Sequence, residues 1–210
     1  AGIANAFTSS SNVNIASGAS LDLNNLAQQA NNLTGTGHIT LGSGALTANN
    51  LSNTTFGGDI SGSGSLIKTG TGILTLSGLS NYSGGTIINA GTLKATQGGV
   101  IGSGSIANNS ILELNFVGNS SLENVLTGNG NLVKTGAGNA TLTGTGSTQG
   151  AINVDSGTLT LAQGDSFTAG SLNTATGATT AITSDTQLNI GGALIQNDGA
   201  ILNVALGTTQ

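Results

Sequence analysis

Three lysines, one histidine and eight carboxylates carry all the charge of this 210-residue chain. Any chemistry must use these groups or the many hydroxyls. Gly164-Asp165-Ser166-Phe167 has the form of a hydrolase nucleophile turn. A serine nucleophile needs a base that a carboxylate orients, and the single histidine, His38, lies far away along the chain. The expected reading is therefore a glycine turn followed by an inward Phe167, with His38 a surface imidazole in a strand-like His38-Ile39-Thr40 run. Gly102-Ser103-Gly104-Ser105-Ile106-Ala107 matches a dinucleotide-type glycine pattern, but that role requires a helix to follow, and none is encoded. The acids Asp22, Asp59, Glu113, Glu123, Asp155, Asp165, Asp185 and Asp198 are scattered, without the close pair that acid–base work on a glycosidic bond requires. A polysaccharide-acting enzyme is a remote alternative. No catalytic, cofactor-binding or metal-ligating residue is expected, and the absence of cysteine removes thiolate sites. Lys68 and Lys134 recur at equivalent places. They are read either as ligand contacts on one face or, by preference, as solvated residues of the outer face whose stems cover apolar surface.

Composition narrows the classes further. Net charge is −5, charged residues make up 5% and aromatics 2%, with 36 glycines and no proline. Three lysines cannot build the basic face that displaces counterions from phosphate, so nucleic acid is excluded as a partner. No apolar run approaches the length of a membrane helix, so this segment is not expected to insert in a membrane. Aliphatic residues are spread evenly, not concentrated. That distribution suits a solenoid, where each coil buries a few Leu, Ile and Val on its neighbours.

The positions in question lie on a repeat. Residues 60 to 95 return as residues 126 to 161. Gly64, Leu66, Lys68, Gly70 and Gly72 meet Gly130, Leu132, Lys134, Gly136 and Gly138, and at the same offset Gly91 and Leu93 meet Gly157 and Leu159. Between the glycines, apolar and Thr-rich runs alternate with period two, the strand pattern. Residues 24 to 32, NNLAQQANN, read as a loop or turn. Asn pairs at 24–25, 31–32, 49–50 and 108–109 suit turns, because Asn tolerates the left-handed region. The expected fold is all-β: a single right-handed parallel β-helix (solenoid) over residues 1–210. The repeat offset divides into three coils of about 22 residues, giving roughly nine or ten coils in all. The chain begins at Ala1 without Met and stops at Gln210 in mid-pattern, so it reads as a segment of a longer protein.

The run Gly64, Leu66, Lys68, Gly70, Gly72, Leu74, Leu76, Gly78, continued by Asn81, Tyr82, Gly84, Gly85, Thr86, Ile88, Gly91, Thr92 and Leu93, resembles the autotransporter-associated β-strand repeat, also called the passenger-associated transport repeat. The second copy departs from it at Ala140, Ser147, Thr148, Ala151 and Ile152. The resemblance implies a type V secreted passenger, exported through the outer membrane to the bacterial cell surface. It also implies a C-terminal outer-membrane barrel of the same precursor, outside this segment. Many such passengers are adhesins or self-association factors, and the repeat itself is linked to passenger folding and translocation. These repeat residues, Tyr82 among them, are then structural.

The expected function is non-catalytic. A polar outer face of the β-helix would mediate self-association with like passengers, or attachment to host glycan or matrix protein. Cell–cell aggregation or biofilm formation would be the consequence. The alternative is a passive stalk, or a translocation and folding module, that displays another functional domain. Any binding surface is expected where the repeat has decayed, on the coils between 96 and 125 and after 162.

Overall fold

The computed structural model describes residues 3–7, 10–144, 148–162, 164 and 166–206. Ser147 and Asp165, singled out above, lie outside them. Short strands alternate inward and outward side chains along their length, as in Ser65–Thr69 and Ile73–Leu76. Among the described residues, the strands pair in parallel throughout. The chain thus coils as a solenoid of stacked rungs, in which each strand's backbone groups bond to the rungs before and after it.

Three faces wind around a common core. The first carries the continuous ladder Val13–Ile15, Leu33–Gly35, Thr54–Phe56, Ile73–Leu76, Thr92–Ala95, Ile111–Asn115, Asn131–Thr135, Thr148–Val154, Ser166–Thr174 and Gln187–Ile190. The second runs from Gln28–Ala30 through Ala45–Asn49, Ser65–Thr69, Thr86–Ile88 and Ile106–Asn108 to Leu126–Thr127. The third is broken. Ser20–Asp22, His38–Thr40 and Ile60–Ser61 form one short sheet, and Ser120–Leu122 begins another. Between them, residues 77–85 and 96–105 cross the third face without forming a strand. Tyr82, Val100 and Ile101 turn inward there and close the core. Inward Leu, Ile and Val fill the interior elsewhere, including Leu66, Leu74, Leu93, Leu112, Leu132 and Leu159.

Two expectations need correction. Gln28–Ala30 is a strand with buried Gln28 and Ala30, not a loop; only Asn24 and Asn25 of that stretch take positive φ. The neighbouring strand Ala45–Asn49 offers a partner ladder, and this overrides weak local signals. The coil is also shorter than the repeat offset suggests. Leu66 pairs with Thr86 one rung on, and Leu74 with Leu93. Three coils therefore consume less chain than separates the two repeat copies, and the second copy lands one face further round. Ser65–Thr69 lies on the second face, whereas its counterpart Asn131–Thr135 lies on the first; Ile73–Leu76 lies on the first and Asn139–Leu142 on the third.

The corners set the tolerance of this stack. At Gly64, a Cβ would overlap the carbonyl oxygen of Gly44 in the rung before, and Gly84 N–H donates to the Gly64 carbonyl 3.0 Å away in the rung after. Gly64→Ala is expected to lower unfolding free energy by about 3 kcal/mol, because backbone of the neighbouring rung cannot yield as a side chain could. Gly118→Ala, with open space at its Cβ, should leave stability measured from the urea midpoint within about 0.5 kcal/mol of the parent.

Candidate functional site

The two recurring lysines lie inside the solenoid. Lys68 and Lys134 are both 0% exposed, which corrects the outer-face reading. Period two explains the placement: Lys68 stands two positions after inward Leu66 and so points the same way. Each ammonium sits in a cage of main-chain carbonyls at a corner. Lys68 Nζ donates to Thr69 O at 2.7 Å, Gly70 O at 2.8 Å and Ala90 O at 3.1 Å. Lys134 Nζ donates to Thr135 O, Gly136 O and Ser156 O at the same three distances. Two carbonyls belong to the lysine's own corner and the third to the next rung, so each lysine staples two stacked corners. Burial pulls the Lys68 amine down to about 8, and lowers that of Lys134 as well.

The remaining motif residues build the same corners. Gly70, Gly91, Gly136 and Gly157 take positive φ at the turns the lysines cap. Gly72 and Gly138 press on the backbone of the rung before, Gly130 on the Asn108–Ser110 turn, and Gly85 has positive φ beside Ser105. Leu66, Leu74, Leu76, Leu93, Leu132 and Leu159 fill the core, and exposed Gly84 lies on the Gly64 corner. Tyr82 is fully buried, with its hydroxyl 2.7 Å from Thr86 Oγ1. Other buried polar side chains also work at corners: Asn108 Nδ2 donates to Asn131 O at 2.9 Å. The ammonium of the third lysine, Lys94, pairs at 2.9 Å with Glu113 on the outer surface.

His38 has partners that spacing along the chain did not reveal. Its Nδ1 lies 2.5 Å from Asp59 Oδ2, and its Nε2 lies 2.9 Å from Thr40 Oγ1 and 3.1 Å from Ser61 Oγ. Asp59 and Ser61 belong to the next rung, so the true coil length would have placed them beside His38. The glycine pair Gly64 and Gly84 already carried that length. The order of contacts is that of a serine, its base and the base's carboxylate. Here, however, Thr40 and Ser61 share one nitrogen, and the group lies on an exposed sheet surface. What the geometry supports is a hydrogen-bonded tie between two rungs. Ser166 lies elsewhere, in register with Gln187, and Phe167 is buried as the glycine-turn reading requires. Among the described residues, no three His, Cys, Asp or Glu side chains gather closely enough to hold a metal ion.

The break in the third face leaves a cleft of about 300 Å³, lined by Ser80, Asn81, Gly99, Gly102, Ser103, Ser121, Glu123 and Asn124. Asn124 is nearly buried, and its Nδ2 donates to Gly102 O at 3.2 Å and Gly104 O at 2.5 Å, fixing one wall. Gly102 has φ +64, and a Cβ there would run into the Tyr82 carbonyl. A smaller hollow lined by Thr96, Gln97 and Asn119 adjoins the same coils. These hollows are built largely from the stretch between the two repeat copies.

A stapled two-rung unit, repeated with a turn of one face, defines a parallel β-solenoid of stacked repeats. Residues 66–95 and 132–161 match the family model of the passenger-associated-transport-repeat. Each match begins at the leucine before the stapling lysine and ends with the strand one rung on. The chain thus carries two copies of the passenger-associated-transport-repeat. It is similar to the Adhesin BmaC autotransporter of Brucella suis biovar 1 (strain 1330), 42% identical over 79 residues, which is 35% of this chain and 2% of that protein. The chain therefore corresponds to a very small part of the length of this curated relative. No solved structure matches.

Proposed function

We propose that this segment is a non-catalytic, adhesive part of a passenger displayed at the bacterial cell surface, where it makes contact through the polar outer side chains of its third face. The observation that carries this reading is the interrupted ladder between Ser61 and Ser120. There the solenoid gives up strand pairing, and a polar cleft opens on the same face as the His38–Asp59–Ser61 group. The name of the adhesin relative supports the same reading. Single hydrogen bonds on such a surface are each worth about 1 kcal/mol net, so strength must come from many copies on a cell. Self-association of like passengers fits the low charge, because side-by-side rods repel one another little. Attachment to glycan or matrix protein uses the same polar groups.

The second reading is a stalk or a translocation and folding module. One observation favours it: the repeat copies turn their lysines inward and so commit them to the fold. Beads coated with the purified chain separate the two. Adhesion predicts that coated beads clump or bind cells, and that Asn81→Lys with Ser103→Lys and Ser121→Lys disperses them. Beads that never attach, in any medium, would leave the stalk.

A further inference from the structure

We infer that the third-face cleft takes one neutral sugar residue of a glycan and turns anionic saccharides away; this rests on the adhesive reading above. A volume of about 300 Å³ is at the lower end for ligand sites, which suits one ring and its first waters better than an extended chain. The lining offers hydroxyls from Ser80, Ser103 and Ser121, the amide of Asn81, the Oδ1 acceptor of Asn124, whose N–H groups are spent on Gly102 and Gly104, and one carboxylate, Glu123. Hydroxyls and amides both donate and accept, which is what the alternating hydroxyls of a pyranose require.

The walls are held in place before any ligand arrives. Asn124 ties Gly102 and Gly104, and beneath them the Tyr82 ring is anchored to Thr86. A ligand would therefore meet ordered groups, and little entropy would be lost in arranging them. Glu123 is exposed and is the one charged side chain in the lining. A carboxylate accepts charge-assisted hydrogen bonds from adjacent sugar hydroxyls. The same charge, with no cation among the lining residues to offset it, opposes a ligand carboxylate or sulfate. The lining residues include no aromatic ring for a sugar to stack on, so single-site affinity is weak, on the order of millimolar, and many displayed copies are needed for attachment.

Lactose and 3′-sialyllactose differ by one carboxylated sugar and test both halves of the proposal. With isotope-labelled chain, lactose is expected to shift the amide signals of Asn81, Ser103 and Ser121, with 3′-sialyllactose binding about tenfold more weakly. Glu123→Gln, on the surface and harmless to the fold, should bring the two ligands to within about threefold of each other. No shift with lactose up to about 50 mM, equal binding of both sugars to the parent chain, or an unchanged ratio in Glu123→Gln would each overturn it. The bead assay keeps the two readings apart. A parent chain that shows no lactose shift, on beads that still adhere, removes the cleft proposal and keeps adhesion. A cleft that binds lactose on beads that attach to nothing removes adhesion and keeps the cleft.

Discussion

Lys68→Met is expected to lower the unfolding free energy by about 3 kcal/mol, a large loss for one side chain. Methionine keeps the apolar stem and the approximate volume, so the core around Leu66 and Ile88 stays filled. What disappears is the donor. The carbonyls of Thr69, Gly70 and Ala90, now capped by one ammonium, would face a thioether in a buried corner. Hydrogen bonds to a charged group contribute about 1.5–3 kcal/mol each, and buried acceptors left unmade cost about 1–3 kcal/mol; partial relaxation of the corner brings the sum down to the figure given. Lys68→Arg should not rescue, because a planar five-donor fork does not fit a cage built for a compact ammonium. Lys134→Met should cost a similar amount, since its three contacts have the same lengths. The two cages lie on different faces with no shared partner, so the double variant should add to within about 0.5 kcal/mol. Urea midpoints at constant slope would measure this. A loss below about 0.5 kcal/mol in Lys68→Met would mean that the cage is incidental.

The lysine cages also mark the boundary of what the sequence discloses. Period two alone puts Lys68 on the same side as Leu66, and the recurrence at Lys134 points to one shared task. The general expectation that charge faces water outweighed the alternation, because nothing local says that three carbonyls wait at the corner. The fold class was legible, since alternating Thr and aliphatic residues between glycines encode strands directly. The coil length was harder. The most visible period, from Leu66 to Leu132, is not a whole number of coils, whereas the true rung spacing shows only inside one unit, as Gly64 to Gly84. Without that spacing His38 has no visible partner, although Asp59 and Ser61 stand on the next rung. The cleft was legible in location alone. The stretch between 96 and 125 loses the repeat, but inward-turned Val100 and Ile101 and the buried Tyr82, which make the gap a formed cleft, depend on how two irregular rungs pack.

These inward polar groups also predict how the solenoid answers to alkali: stability should first rise and then fall, with a maximum between about pH 10 and 11. Burial lowers the Lys68 amine from 10.5 to about 8, and lowers Lys134 from the same starting value. Between each amine's lowered folded-state value and its ordinary one the unfolded chain holds more protons than the folded one, so unfolding free energy increases with pH, by at most about 1.4 kcal/mol per pH unit for each lysine. Well below the folded-state value both states carry the charge of Lys68, and the cost of burying it is fully present. Well above the unfolded-state value both are neutral and the gain is complete. Tyr82 acts in the opposite sense. Burial raises its phenol well above the ordinary 10.0, against a smaller lowering by the bond to Thr86. Once pH passes that ordinary value the unfolded chain gives up this proton first, so the stability that depends on neutral Tyr82 drains away as pH rises further. Urea midpoints taken between about pH 7 and 11.5 would trace the curve. The double variant Lys68→Met with Lys134→Met should remove the rising limb, and Tyr82→Phe should remove the fall while costing about 1 kcal/mol at neutral pH for the lost hydroxyl bond. A midpoint that declines steadily through this range in the parent chain would mean that the caged amines keep their protons, with the three carbonyls replacing water well enough to cancel the cost of burial.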